Sequence, residues 1–210
     1  MNKVVILLGG PLLVTQRLLR EVRGSRVIAA DSGMAHAEAL GLAPELWVGD
    51  FDSSPPELLE KYPKVEKKVY PSDKDQTDGE LAVEAALAMG ASELWLLGAL
   101  GGRSDHGLSH LLLSIKLTGQ GVKVVLSGGK EEARPLVGGG RAAGLEAGTL
   151  FSIVPLSDLA GLTIRGAHWE LKDATIPLGS SHTLSNRARA GLEISLAQGQ
   201  AVLFTYFDDL

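Results

Sequence analysis

The chain has 210 residues, 45% of them hydrophobic, and a formal net charge of -5. That length suits one large domain or two modest ones with a sizeable core, and the negative balance argues against a nucleic-acid footprint. Cysteine is absent, which excludes disulfides, thiolate chemistry and cysteine-ligated zinc or iron–sulfur sites.

In chain order, residues 4–8 predict a first strand, ended by Gly9-Gly10-Pro11. This apolar run is too short for a signal peptide, and no run approaches a membrane span, so the expectation is a soluble cytoplasmic protein. Residues 12–22 carry apolar positions at helical spacing. Residues 27–30 predict a second strand ending at Asp31, and 34–40 a short helix. A third strand, 46–48, runs into Asp50. Pro55 and Pro56 suit the first turn of a helix reaching about Lys61. Residues 65–69 predict a more polar strand near an edge. Thr77 and Glu80 form a capping-box pattern opening a helix through Met89. Residues 94–97 and 122–126 predict two more strands, with a helix between them capped by Ser104 or Asp105. Short apolar strands alternating with helices predict a mostly parallel α/β sandwich for residues 1–128, with both sheet faces covered.

The pattern changes near Ser127-Gly128-Gly129. Short runs separated by glycines recur at 149–154, 162–164, 168–171, 175–178, 191–196 and 201–207. They predict a small antiparallel β-sandwich domain over residues 129–210. Gly138-Gly139-Gly140 fits either a linker or a hairpin tip.

Three polar clusters follow strand patterns of the first domain. Asp50 and Asp52 in Gly49-Asp50-Phe51-Asp52-Ser53 are two apart, which in extended backbone puts both carboxylates on one side. Such a pair suits a hard cation such as Mg2+, which takes oxygen ligands and shares them with phosphates. Ser53 suits a phosphate contact or a cap. A solvated strand end explains the pair equally simply, but ligands bind at the carboxyl ends of strands in α/β sheets. In the second cluster, Asp73, Lys74, Asp75 and Asp78, the helix macrodipole alone accounts for Asp78. A metal or phosphate site would engage Lys74 and Asp78. In the third, Gly101 and Gly102 let backbone pass close to a ligand. Arg103 offers a fork for phosphate oxygens. Asp105 binds metal, orients Arg103 or caps its helix; His106 is a phosphate or base contact or a surface group. No histidine spacing suggests zinc, and no Walker motif is present. Trp47 and Trp95 sit in apolar strand patterns and read as core. Trp169 lies beside Glu170 and Lys172 in a predicted short strand, and fits either core packing or stacking on an aromatic cation.

Taken together, Ala30-Asp31-Ser32-Gly33, Gly49-Asp50-Phe51-Asp52-Ser53, residues 74–80, Gly98 with residues 101–106, residues 151–156 and Leu184-Ser185-Asn186 resemble the thiamine pyrophosphokinase family over essentially the whole chain. The resemblance implies an N-terminal α/β domain and a C-terminal β-sandwich domain. It implies a homodimer with each active site shared across the interface, and Mg2+-dependent transfer of pyrophosphate from ATP to thiamine. It implies that Asp50, Asp52 and Asp78 bind metal and phosphate, with Arg103 and Asp105 in the same polar site. Asp31, Ser32 and Gly33 would shape the nucleotide or phosphate region, and Trp169, Ser185 and Asn186 the thiamine side. Two positions depart from the family's pattern. His110 stands near a position often held by asparagine. Arg187 follows the Ser-Asn pair where glutamate is usual, a charge reversal in the acceptor region. A pyrophosphokinase for another small alcohol, such as a hydroxymethylpterin, would share the phosphate half and differ in the acceptor pocket. A glycosyltransferase would use only the Asp-x-Asp pair. A nucleotide or thiamine sensor would bind without turnover, so product formation separates it from an enzyme.

Overall fold

A computed structural model describes residues 2–52, 54–73 and 75–207. Ser53 and Lys74, both candidate phosphate contacts, lie outside the described residues. The described residues form two compact units, 2–108 with 121–129, and 109–120 with 130–207.

The first unit is a parallel sheet of β1 (Lys3–Leu7), β2 (Arg26–Ala30), β3 (Leu46–Gly49), β4 (Glu66–Val69), β5 (Glu93–Leu97) and β6 (Lys123–Ser127), in the order β6-β5-β1-β2-β3-β4. The chain steps outward from β1 to β4, then crosses to β5 on the other side of β1 through α4 (Asp78–Ala88). The strand order therefore reverses at β1, and the carboxyl ends of the strands form the edge where such sheets bind ligands.

Successive side chains on a strand point to opposite faces. Val5 and Leu7 of β1 join a core with Leu18 and Val22 of α1 (Gln16–Val22), Met34, Ala37, Trp47, Trp95 and Leu97. α4 lies against β1, β2 and β3. Its N-terminus is a complete capping box: Glu80 N–H donates to Thr77 Oγ1 at 3.3 Å, and Thr77 N–H donates to Glu80 Oε2 at 3.1 Å. α1 is shorter than its apolar pattern because Thr15 caps it, accepting from Leu18 N–H. Between β2 and β3 a 3-10 turn (Asp31–Ala35) precedes α2 (His36–Ala39). α3 (Pro56–Lys61) follows β3, and β4 at the sheet edge is exposed throughout. α5 (Ser104–Gly119) begins in the first unit, while its residues from Ser109 onward group with the second.

The second unit is antiparallel. β13 (Gln200–Tyr206) pairs with β7 (Glu131–Val137) and β9 (Leu150–Pro155). β10 (Leu159–Ala167) pairs with β11 (Leu171–Ile176). The long β12 (Asn186–Ser195) serves both groups: its first residues pair with β9, and its later ones with β10 and with β8 (Arg141–Ala143). A strand that changes sheets through an irregularity is a recognised way to build such a corner. Phe151, Ile153, Leu162, Ile164, Ile194 and Leu203 fill the core between them. Gly138-Gly139-Gly140 is neither a linker nor a β-hairpin tip. It is a tight turn inside this unit, with Gly140 N–H on Val137 O at 2.7 Å, and it carries the chain from β7 to β8, which pair with different strands.

Candidate active site

Three carboxylates meet at the carboxyl edge of the parallel sheet. Asp31 follows β2, Asp50 and Asp52 follow the neighbouring β3, and each offers an oxygen within 4.8 Å of the others. Their donors are all carboxylate oxygens, the chemistry a hard cation such as Mg2+ prefers. Asp52 is exposed, while Asp31 and Asp50 are more enclosed. Each of the two turns that carry them holds a residue of unusual backbone. Asp31 has φ 44° and Phe51, between the two other aspartates, φ 65°. The left-handed region is uncommon for Asp and an outlier for Phe, and such residues cluster at functional sites.

Side chains below the edge hold this arrangement. Trp47 Nε1 donates to Asp31 O at 2.8 Å, Ser54 Oγ donates to Asp31 Oδ1 at 2.9 Å, and Asp52 N–H donates to Asp50 Oδ1 at 3.2 Å. Asp78, expected beside Asp50 and Asp52, is not part of this group of three. It occupies the first turn of α4, the position the helix dipole favours. Asp31, expected only to shape the phosphate region, is the carboxylate that joins the pair. The signal for it in the sequence was its place directly after the second strand pattern, matching that of Asp50 after the third. Ser54 and Trp47 carried no such signal, because one reads as a helix-start residue and the other as core.

Ser32 and Gly33 lie in the 3-10 turn after β2. Gly33 backs directly onto β1: a Cβ there would sit 2.1 Å from Leu7 O, so no side chain fits. After β5 the chain turns through Gly101 and Gly102, both left-handed at φ 79° and 68°, which glycine adopts without a steric cost. Arg103 and Asp105 form a two-pronged ion pair, Nε to Oδ1 at 3.2 Å and Nη2 to Oδ2 at 2.6 Å. His106 N–H adds a bond to Asp105 Oδ1 at 3.0 Å. The hydrogen bond from Arg103 holds the Asp105 carboxyl down to about 2, and the same bond raises Arg103. Of the three roles open to Asp105, orienting Arg103 is the one its contacts display.

In the second unit Trp169 lies in the turn between β10 and β11, outside the short strand expected for it. The residue is 59% exposed, so it is not core. Trp47 and Trp95 are core, as expected. Asn186 explains the position of Trp169. Its buried amide accepts from Trp169 N–H at 3.1 Å and donates to Trp169 O at 2.7 Å, pinning the turn by its backbone. His168 stands edge-on to the ring, with centroids 4.5 Å apart. Ser185, at φ 59°, donates its N–H to Ser152 Oγ at 2.9 Å. Arg187 Nη1 donates to Gly148 O at 2.9 Å, which gives the charge reversal a local structural role.

A parallel sheet with carboxylates gathered outside its strand ends defines the broad class of ligand-binding α/β proteins. Comparison with known proteins defines the particular one. Residues 20–126 match the family described as thiamin pyrophosphokinase, catalytic domain, and residues 142–200 match thiamin pyrophosphokinase, vitamin B1 binding domain. The thiamine pyrophosphokinase of Bacillus subtilis (strain 168) is 28% identical over 195 residues, covering 89% of each chain. The crystal structure of a thiamine pyrophosphokinase from Bacillus subtilis superposes with a TM-score of 0.86 at 25% identity, covering 98% of this chain and 99% of that one. The thiamin pyrophosphokinase from Candida albicans, at 16% identity, shares the fold with a TM-score of 0.83 over 99% of this chain and 89% of its own. The chain belongs to the thiamine pyrophosphokinase family. Its activity is transfer of pyrophosphate from ATP to the hydroxyl of thiamine, giving thiamine diphosphate and AMP.

Proposed function

We propose that this transfer is Mg2+-dependent and that Asp31, Asp50 and Asp52 hold the ion. The observation that carries the reading is the convergence of three carboxylates within 4.8 Å at the carboxyl edge of a parallel sheet. When bound, the ion would neutralise phosphate charge and stabilise the transferring group as a Lewis acid. The chain's own residues do the rest. Arg103, oriented by Asp105, brings a cationic fork suited to phosphate oxygens. Gly101 and Gly102 keep that turn free of side chains where the polyphosphate would pass. The exposed Trp169 ring suits the cationic thiazolium of thiamine, and Asn186 keeps the ring in place. In the reaction, the thiamine hydroxyl oxygen bonds to the β-phosphorus, the bond from that phosphorus to the α,β-bridging oxygen breaks, and AMP departs with that oxygen. The hydroxyl proton is released to solvent water as the new O–P bond forms. Asp105, titrating at about 2, is a poor acceptor for it at neutral pH.

The first unit is thus assigned the nucleotide and the metal, and the second the acceptor. A homodimer with a shared site belongs to the same reading. It is supported by the family resemblance and by exposed Leu108 and Leu112, one helical turn apart on α5. The test is turnover by the purified chain with ATP and thiamine, with and without Mg2+, and with a hydroxymethylpterin as rival acceptor. The expected result is AMP and thiamine diphosphate in equal amounts, only with Mg2+ and only with thiamine. Full turnover in a metal chelator would refute the metal assignment.

A further inference from the structure

Resting on the metal reading above, we propose that Trp47 is a positioning residue that sets the spacing of the three carboxylates without touching substrate or metal. Trp47 sits on β3 with none of its surface exposed. One indole makes two contacts upward. Its N–H donates to the carbonyl of Asp31 at 2.8 Å, and its ring meets that of Phe51 edge-to-face at a centroid separation of 5.0 Å and an interplanar angle of 79°. The residues it grips are the two left-handed ones of this edge, Asp31 at φ 44° and Phe51 at φ 65°. Left-handed backbone at non-glycine residues persists only where surroundings over-determine it. For Asp31, that hold is the indole hydrogen bond together with Ser54. For Phe51, it is the aromatic contact, whose edge-to-face form is a favoured geometry.

The consequence is geometric. Asp31 and Asp50 follow separate strands, and Asp50 and Asp52 flank Phe51. An indole fixed in the core between these two turns ties the carboxylate of β2 to the pair of β3. Trp47 is itself held in place, since its strand neighbour is Ala29 and Lys67 Nζ lies 5.7 Å from its ring centroid. Phenylalanine at this position would keep an apolar ring in the core but lose the donor to Asp31. Outer contacts of this kind change metal affinity by about 10–100-fold when removed.

The test measures Mn2+ binding to the full chain by the electron paramagnetic resonance of free Mn2+, beside melting temperature and the thiamine KM. Trp47→Phe should weaken Mn2+ binding by about tenfold or more and raise the Mg2+ needed for half-maximal turnover to match, with the thiamine KM unchanged. A purely structural tryptophan would lower the melting temperature and leave Mn2+ affinity alone. Phe51→Leu removes the ring contact but keeps the bulk, and should weaken Mn2+ binding in the same direction even if Trp47→Phe does not fold. Asp52→Asn is the control. If it weakens Mn2+ binding while folded Trp47→Phe and Phe51→Leu do not, positioning by Trp47 is overturned and the metal site stands. If the unaltered chain binds no Mn2+ at millimolar concentration, or Asp52→Asn changes nothing, the metal reading falls and the proposal falls with it.

Discussion

Arg103 and Asp105 show how one contact decides which chemistry a side chain is suited to. A carboxylate gripped by a guanidinium fork and a backbone N–H stays ionised far into acid. Asp105 titrates at about 2, so its pairing is complete above the ordinary carboxylate range and is lost only as pH falls through that value. Arg103→Ala should move the Asp105 titration up toward about 3.9, a change visible by NMR, and should weaken ATP binding. An unmoved titration would mean the fork is not its cause. Trp169 supports a prediction of the opposite kind. Its ring is exposed, so Trp169→Ala should leave melting nearly unchanged while raising the thiamine KM severalfold, in line with roughly 0.5–2 kcal/mol for a cation–π contact. Asn186→Ala removes a buried brace with three hydrogen bonds, two to Trp169 and one from Arg187 N–H. It should lower stability by about 1–3 kcal/mol and raise the same KM. An unchanged thiamine KM in folded Trp169→Ala would remove the ring from the acceptor site.

The elements were legible where local physics acts alone. The parallel strands appear as short apolar runs because both sheet faces are covered, and the Thr77–Glu80 box marks the start of α4 because capping is read from four residues. Thr77→Ala should therefore cost about 0.5–2 kcal/mol, measurable as a lower melting temperature. An unchanged temperature would deny the cap its role. Legibility failed where tertiary pairing overrides pattern. β7 and β8 carry Glu131, Glu132, Arg134 and Arg141 and show no apolar run that marks a strand, yet β13 and β12 recruit them as strands. Residues 168–171 and 175–178 read as two strands, but the turn carrying Trp169 takes the first residues and one strand, β11, takes most of the rest. The site divides in the same way. Asp50 and Asp52 are visible as an adjacent pair. Their partner Asp31 follows another strand, and the β2–β3 pairing brings it near. The bond from Trp47 to Asp31 was invisible because an indole in an apolar strand looks the same whether or not its N–H meets the turn beyond the strand.

At the scale of the molecule, each unit has its own hydrophobic core, and each matches a separate family description. On the reading proposed above, one handles the polyphosphate and the other the vitamin, and catalysis would require both in one assembly. Sedimentation at micromolar concentration should report a dimer, and a fully active monomer would exclude a shared site. The central claim is that two phosphates move together in one step. The most direct measurement supplies ATP labelled separately at its β- and γ-phosphorus and follows each label into product. Single-step transfer predicts that both labels enter thiamine diphosphate in equal amounts, one for each AMP released. Label from the γ-position alone, accompanied by ADP, would mean successive single-phosphate transfers and would contradict the account.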